Sequence, residues 1–185
     1  DCSHDNTLAI CREYAKRYPE RIRIVTAERN VGMRENYRRT ALAAQGRYVA
    51  YCDGDDFWID EEKLQRQVEA LENNPSVGMC YTRSERRIEH SDKHWTYPKE
   101  GLFVEFEKLL FNNTVENCTA VARRELIERY YAEVQPECHP EWLTDDAPMW
   151  IWFAAESRIV ALEQVTAVHS LLKESVSQSS DYLKR

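Results

Sequence analysis

The sequence predicts an α/β fold in which a mostly parallel sheet is flanked by helices. Helical and strand patterns alternate through the first 82 residues, which is the order that builds such a layered sheet. The segment 48–52 is a near-continuous apolar strand, as expected for a strand that is buried on both faces. The chain has 185 residues, of which 43% are hydrophobic, so we expect a single domain over 1–185 with a sizeable core.

Apolar periodicity and turn residues define the elements of the first half, residues 1–82. The first helix stops at Pro19, the second is closed by Gly46, and the third has Asp60 as its N-cap. The predicted helices cover 7–18, 33–45 and 60–74, and the predicted strands cover 22–25, 48–52 and 77–81.

The second half, residues 83–185, carries less regular patterns. The polar stretch 83–101 predicts loops or short antiparallel pieces. Helices are predicted at 106–111, at 125–133 and from Asp145–Asp146 onward, and strands are predicted at 118–122 and 158–162. No linker separates the two halves, so both are expected in one domain.

Composition and charge exclude several classes of protein. The formal net charge of −7 argues against nucleic-acid binding, because that binding is driven by basic charge. No apolar run approaches the roughly 20 residues that a transmembrane helix requires, so no transmembrane segment is expected. The six cysteines form no CxxC pair, which argues against a disulfide scaffold or a zinc site and favours a cytoplasmic location.

The acidic segment Asp53–Asp56 directly follows the buried strand 48–52. Ligands of open α/β sheets bind outside the carboxyl ends of the strands, so these carboxylates lie where a ligand is expected. They repel one another, and a hard divalent cation such as Mg²⁺ or Mn²⁺, bridging to a diphosphate, would neutralise them. The alternative is a structural Asp-Gly turn that leads into the next helix.

A second acidic pair, Asp145–Asp146, stands at the start of a predicted helix beside Trp142 and Trp150. Adjacent carboxylates in such surroundings are expected to have coupled, perturbed pKa values, which suit a general base. The alternative is an ordinary helix N-cap ahead of Pro148.

Several motifs in the first 71 residues resemble family 2 glycosyltransferases of the GT-A fold. The segment Asp1–Thr7 resembles the D-x-S-x-D-x-T segment of that family. Asn30–Gly32, followed by Arg34 and Asn36, resembles its N-x-G stretch. Residues 46–58 resemble its A-x-G-x-Y-hydrophobic-D-x-D-D core, and the motifs occur in the order and spacing of the family.

The resemblance implies a fold and an activity. It implies a Rossmann-like GT-A sheet, with residues 1–82 as the nucleotide-binding half and residues 83–185 as the acceptor-binding and catalytic half. The implied reaction moves a sugar from a nucleoside-diphosphate sugar, with UDP favoured, to a hydroxyl of a saccharide or other acceptor. It proceeds with inversion, without a covalent intermediate and with Mg²⁺ or Mn²⁺ assistance.

Roles for individual residues are implied by the same resemblance. Asp55 and Asp53 would bind the metal, and Asp146 or its neighbour Asp145 would take the proton from the acceptor hydroxyl. The residues implied in nucleotide binding are Asp1, Asn30, Gly32, Arg34, Asn36 and Asp53.

Two departures from the family pattern qualify these expectations. The family begins with a strand, a helix and a second strand before the motif that here starts at Asp1. An N-terminally truncated member lacking the usual first strands is therefore expected, and its unpaired strand edges favour a homodimer. Leu172 stands where many relatives have the histidine of a Y-R-x-H element, so His169 is either its substitute or a structural residue.

Two other functions remain open from the residues alone. One is a nucleotide-sugar-binding fragment without catalysis. The other is a haloacid-dehalogenase-like phosphatase, which also carries D-x-D after a buried strand. The phosphatase family has Thr or Val at the position of Phe57, which makes it the weaker match.

Overall fold

The computed structural model of the chain describes residues 2–142, 144 and 146–172. Among these residues, no helix combines the length and the apolar character needed to cross a bilayer. The α-helices are α1 (Thr7–Arg17), α2 (Met33–Leu42), α3 (Lys63–Glu72), α4 (Phe106–Phe111), α5 (Arg124–Glu133) and α6 (Asp146–Glu156). The strands are β1 (Tyr48–Ala50), β2 (Phe57–Trp58), β3 (Val77–Ile88), β4 (His94–Tyr97), β5 (Val121–Arg123) and β6 (Arg158–Leu171).

The strands form one sheet in the order β1-β5-β3-β6-β2, with β4 paired to β3. The α/β class is confirmed, but the sheet is mixed rather than mostly parallel. Only β3 and β6 run parallel, and the other described pairings are antiparallel. The short turn between β3 and β4 permits only an antiparallel hairpin, and β5 lies between β1 and β3 in the opposite direction. Strand β3 spans residue 82, so both halves of the sequence contribute to the same sheet.

The strand predicted at 22–25 is wrong for the described chain. The segment is not helical, but it pairs with none of the described strands, and a strand exists only where a neighbour completes its backbone ladder. Helix α1, which precedes it, buries none of its residues and exposes apolar side chains such as Ile10. The homodimer stays a prediction.

Helices cover β3 on both faces. Met79 and Tyr81 pack into a core cluster with Trp150 of α6, whereas Cys80 packs with Leu71 of α3. Each fully buried apolar side chain of this kind contributes about 1.5–3 kcal/mol. The carboxyl ends of β1 and β6 lie on the same side of the sheet, and the acidic segment Asp53–Asp56 lies there.

Candidate functional site

The acidic segment forms a turn that links β1 to β2. The amide of Asp56 donates to the carbonyl of Asp53 at 3.1 Å, which closes the turn. Strand β2 then pairs with β6, with Phe57 opposite Val168. The turn is therefore held between the end of β1 and the end of β6.

Asp56 is the buried member of this turn and binds the end of β6. Its carboxylate lies 3.2 Å from His169 Nδ1 and accepts the Ser170 amide at 2.9 Å. Ser170 Oγ in turn donates to the carbonyl of Asp55 at 2.6 Å. Burial raises the pKa of Asp56, but the His169 and Ser170 hydrogen bonds outweigh it, so the net shift is downward.

The pKa of His169 shifts in the opposite direction. Burial alone lowers the pKa of His169, but the hydrogen bond to Asp56 and the charges of Glu116 and Asp56 raise it above its usual value. The imidazole is therefore biased towards its charged form beside an ionised Asp56.

Asp53 lies at the opposite end of the turn and contacts the 3₁₀ turn Asn117–Thr119. Asn117 Nδ2 donates to Asp53 Oδ2 at 3.1 Å, and Tyr37 Oη donates to Asn117 Oδ1 at 2.7 Å. Asp53 as a residue is exposed, but its carboxylate turns towards Asn117. Loss of solvation raises the pKa of Asp53, and the charges of Asp56, Asp55 and Asp146 add to the rise.

Aromatic packing holds the Tyr37 ring in place. Its ring stacks on Tyr51 with centroids 5.5 Å apart and an interplanar angle of 5°, and Tyr51 meets Trp150 edge-on. Burial, followed by the charges of Tyr51, Asp53 and other neighbours, raises the pKa of Tyr37. The phenol thus stays protonated and acts as a hydrogen-bond donor to Asn117.

Asp146 begins helix α6, and its charge raises the pKa values of Asp53 and Tyr37. Burial raises the pKa of Asp146, against hydrogen bonds to the Ala147 amide and other local donors that lower it. The charge of Asp146 also contributes to the raised pKa of Asp53, so the two carboxylates share one electrostatic environment. Asp1 and Asp145, which were also predicted in the site, lie outside the described residues.

The other residues predicted to bind nucleotide lie around the start of α2. Asn30 Oδ1 accepts the amide of Gly32 at 2.8 Å, and Gly32 has a φ of 84°, which glycine adopts without strain. Arg34 donates to the carbonyl of Trp142, and so ties α2 to the segment ahead of α6. Asn36 sits half-buried on the first turn of α2. Asn30 and Gly32 have local structural partners, and Arg34 contacts the segment that leads to Asp146.

The donor set at the acidic turn fits a hard divalent cation. Asp55 is exposed, and the Asp53 carboxylate two residues earlier is held by Asn117. Carboxylate oxygens are the ligands that Mg²⁺ and Mn²⁺ prefer. Asp56, by contrast, is engaged by β6. Its carboxylate, Cys118 Sγ and a His169 ring nitrogen lie within 4.8 Å of one another.

Sequence patterns missed three contributors to this site: Asn117, Tyr37 and Ser170. Each is an ordinary polar residue whose position depends on a partner far away in the chain. The sequence gives His169 two alternative roles, and its contact with Asp56 brings it to the acidic turn. Leu172, at the position of the family histidine, supplies no ligand atom.

Comparison with known proteins identifies the relatives of the chain. Residues 1–131 match the family model described as Glycosyl transferase family 2. The uncharacterized protein Rv1520 of Mycobacterium tuberculosis is 34% identical over 129 residues, which cover 68% of this chain and 37% of that protein. The Escherichia coli UDP-Glc:alpha-D-GlcNAc-diphosphoundecaprenol beta-1,3-glucosyltransferase WfgD is 26% identical over 182 residues, which cover 97% of this chain and 66% of WfgD.

A solved structure supports the same grouping at the level of the fold. Mannosyltransferase PcManGT from Pyrobaculum calidifontis, in complex with GDP-Man and Mn²⁺, superposes with a TM-score of 0.64 at 19% identity. The match covers 95% of this chain and 47% of that chain. The chain thus spans about a third to two thirds of the length of these relatives. These matches do not favour the phosphatase alternative.

The family match covers residues 1–131, and the mixed sheet with flanking helices superposes on a mannosyltransferase. The chain therefore belongs to glycosyl transferase family 2 and has the GT-A fold.

Proposed function

We propose that this chain transfers a sugar from a nucleoside-diphosphate sugar to an acceptor hydroxyl, with inversion at the anomeric carbon. The observation that carries the proposal is the acidic turn after β1, in which Asp55 is exposed and the Asp53 carboxylate is held by Asn117. A donor diphosphate with its cation would neutralise these carboxylates. The charge of Asp146 adds to the raised pKa of Asp53, which supports a second acidic group near the same turn, where an acceptor hydroxyl would lose its proton.

The proposed donor is UDP-linked. The relative that aligns with 97% of the chain is named for UDP-Glc, which supports a uridine nucleotide. PcManGT was solved with GDP-Man, so binding experiments should compare UDP with GDP. The proposed nucleotide-binding residues are Asp1, Asn30, Gly32, Arg34, Asn36 and Asp53.

Asp55 and Asp53 are the proposed holders of Mg²⁺ or Mn²⁺. When bound, the ion would neutralise the charge that develops on the leaving diphosphate. Asn117 orients the Asp53 carboxylate by donating to it, and Tyr37 fixes the orientation of Asn117. Asp56 and Ser170 hold the Asp55 backbone against β6. The protein thus supplies a pre-organised carboxylate pair.

Asp146 is the proposed general base, with Asp145 as its neighbour. Its raised pKa makes it a better proton acceptor than an ordinary carboxylate, which is what a base acting on a hydroxyl requires. Asp146 would take the proton from the acceptor hydroxyl as that oxygen attacks the anomeric carbon on the face opposite the diphosphate. One displacement of this kind inverts the centre and needs no nucleophilic side chain.

We also propose a cytoplasmic location. The six cysteines are free thiols in this fold, and Cys80 and Cys118 are fully buried without a disulfide partner. Free thiols are typical of a reducing compartment.

Calorimetric titration of UDP into the chain, with and without Mn²⁺, tests the proposal. We expect metal-dependent binding that Asp55→Ala abolishes and that Asp92→Ala, in the exposed β3–β4 turn, leaves unchanged. Transfer from UDP-sugars is then followed by NMR of the product anomer. UDP binding that does not require Mn²⁺ would contradict the assignment of the metal site. A product with the anomeric configuration of the donor would contradict inversion.

A further inference from the structure

A cavity of about 290 Å³ lies beside the β3–β4 hairpin, and none of its lining residues takes part in the proposed donor chemistry. Its walls include Arg86 on β3, Trp95 and Tyr97 on β4, and Asn112 just after α4. Lys99 borders it and lies 5.9 Å from the centroid of the Trp95 ring.

The strand register connects this cavity to the acidic turn. Arg86 pairs with Trp95 on one side and with His169 on the other, so the three side chains share one face of the sheet. Neighbouring strands lie about 4.8 Å apart, which puts the Trp95 backbone roughly 10 Å from that of His169. His169 contacts Asp56, so the Trp95 wall of the cavity lies about two strand spacings from the strand that holds the acidic turn.

Internal contacts hold the cavity walls in place. Arg86 Nε lies 2.6 Å from Glu116 Oε1, and the Arg86 guanidinium lies 3.4 Å from the centroid of the Tyr97 ring. Tyr97 Oη donates to the Asn113 carbonyl at 3.1 Å. Arg86 is therefore neutralised by Glu116. The other groups that can contact a ligand include the half-buried Trp95 ring and the exposed side chains of Lys99, Glu100 and Asn112, and the charges of Lys99 and Glu100 are opposite.

This combination fits a sugar ring. Ligand cavities combine an apolar or aromatic wall with a few polar groups that fix orientation, and a pyranose presents C–H faces to the wall and hydroxyls to the polar groups. The volume lies at the lower limit of about 300 Å³ for ligand pockets, which suits one ring rather than an extended chain.

We infer that this cavity is the acceptor subsite and binds one neutral pyranose unit, with Trp95 as its stacking platform. The inference rests on the proposed function, because an acceptor subsite has a role only beside a donor site. It assigns to β4 and the segment after α4 the part of acceptor recognition that the sequence motifs left undefined.

The test observes Trp95 directly in the whole chain. The ¹⁵N–¹H spectrum of the tryptophan indoles is recorded during titration with the methyl β-glycosides of glucose, galactose, mannose and N-acetylglucosamine. Trp95→Phe identifies the Trp95 signal by its disappearance. We expect that signal to shift saturably with at least one glycoside. Trp95→Leu should weaken that binding about tenfold, as expected for a lost aromatic contact. Thr96→Ala, on the opposite exposed face of β4, serves as the matched control and should leave it unchanged.

UDP titration with Mn²⁺ on the same samples separates the two proposals. Normal UDP binding with no movement of the Trp95 signal for any of the four glycosides overturns the acceptor subsite and leaves the donor site standing. Equal weakening in Trp95→Leu and Thr96→Ala also overturns it, because the effect would then come from a disturbed hairpin. A saturable Trp95 shift without UDP binding would retain the saccharide site and overturn the transferase function.

Discussion

His169 Nδ1 lies 3.2 Å from Asp56 Oδ2, and this contact joins residues 113 positions apart in the chain. The Asp56 side chain is 1% exposed, whereas that of His169 is 32% exposed, so the pair lies between the protein interior and the open side of the site. It fixes the buried end of the acidic turn, which leaves Asp53 and Asp55 at the open side. Structural and ligand-binding roles are thus divided among neighbouring carboxylates.

Asp56→Asn and Asp55→Asn should separate those two roles. Asp56→Asn removes a buried charged acceptor and should lower the free energy of unfolding by about 1–3 kcal/mol. Asp55→Asn changes an exposed side chain and should stay within about 0.5 kcal/mol while abolishing Mn²⁺-dependent UDP binding. Urea unfolding and calorimetry measure the two effects. Similar stability losses in both variants would contradict the division.

The stabilising effect of His169 should depend on pH. Its pKa is raised in the folded chain, so its contribution is complete below the ordinary value of 6.5 and is lost as pH rises through the folded value. The difference in unfolding free energy between the natural chain and His169→Gln should therefore be larger at pH 5.5 than at pH 8.5. Denaturant titrations at both pH values check this, with His90→Gln, an exposed histidine, as control. A difference that grows with pH would exclude the pair as its source.

Local patterns were sufficient to predict most of the fold. Helix α3 and strand β1 follow from periodicity, because that signal lies within the elements themselves. The predicted N-cap of α3 is wrong, since the helix begins at Lys63 with Glu62 rather than Asp60 in the N-cap position. Strand β3 was predicted only over 77–81 but extends to Ile88, since its polar second part is stabilised by pairing with β4 and β6. The segment 22–25 has a strand composition but pairs with none of the described strands, and composition does not encode whether a strand finds a partner.

The sequence predicts that Asp53 and Asp55 lie together, because they stand in one short motif, and their role in metal binding stays a prediction. The contacts that surround the acidic turn were not predictable in the same way. Asn117 lies 64 positions from Asp53, and Tyr37 lies 80 positions from Asn117. Contacts at that separation are set by the sheet order and the aromatic packing behind Tyr37, neither of which a local pattern encodes.

Tyr37→Phe should weaken nucleotide binding although Tyr37 does not contact Asp53. The variant keeps the ring that stacks on Tyr51 but removes the donor that orients Asn117. We expect a loss of about 1 kcal/mol in unfolding free energy and a roughly fivefold weaker Mn²⁺-dependent UDP affinity. Tyr81→Phe, which loses a buried hydroxyl bonded to the Phe103 carbonyl, should lose stability but keep UDP affinity. Equal UDP affinities for Tyr37→Phe and the natural chain would contradict the orienting role.

Lys63 should make the fold more stable at alkaline pH. It is buried, with Nζ 2.6 Å from Gln67 Oε1 and 4.8 Å from the Trp58 ring centroid, and burial lowers its pKa from 10.5 to about 8. Between those two values the unfolded chain holds a proton that the folded chain has released, so stability rises with pH. The rise is on the order of 3 kcal/mol, at 1.36 kcal/mol for each pKa unit.

Lys63→Met should remove that rise, as measured by urea unfolding between pH 7.5 and pH 10. Lys16→Met, on the exposed surface of α1, should keep the dependence of the natural chain. A slope that persists in Lys63→Met would mean that another group is responsible for it.

Asp146→Asn should abolish transfer without abolishing donor binding. Removing a general base lowers the rate by about 10²- to 10⁴-fold, whereas UDP affinity with Mn²⁺ should change little, because Asp146 is proposed to act on the acceptor. Only the ionised carboxylate accepts a proton, and burial raises the pKa of Asp146, so the rate of the natural chain should fall on acidification already above pH 3.8, the ordinary carboxylate value. Glu156→Gln, at the other end of α6, should leave both rate and profile unchanged. Initial rates across pH measure the effect, and a rate retained in Asp146→Asn would assign the base to another residue.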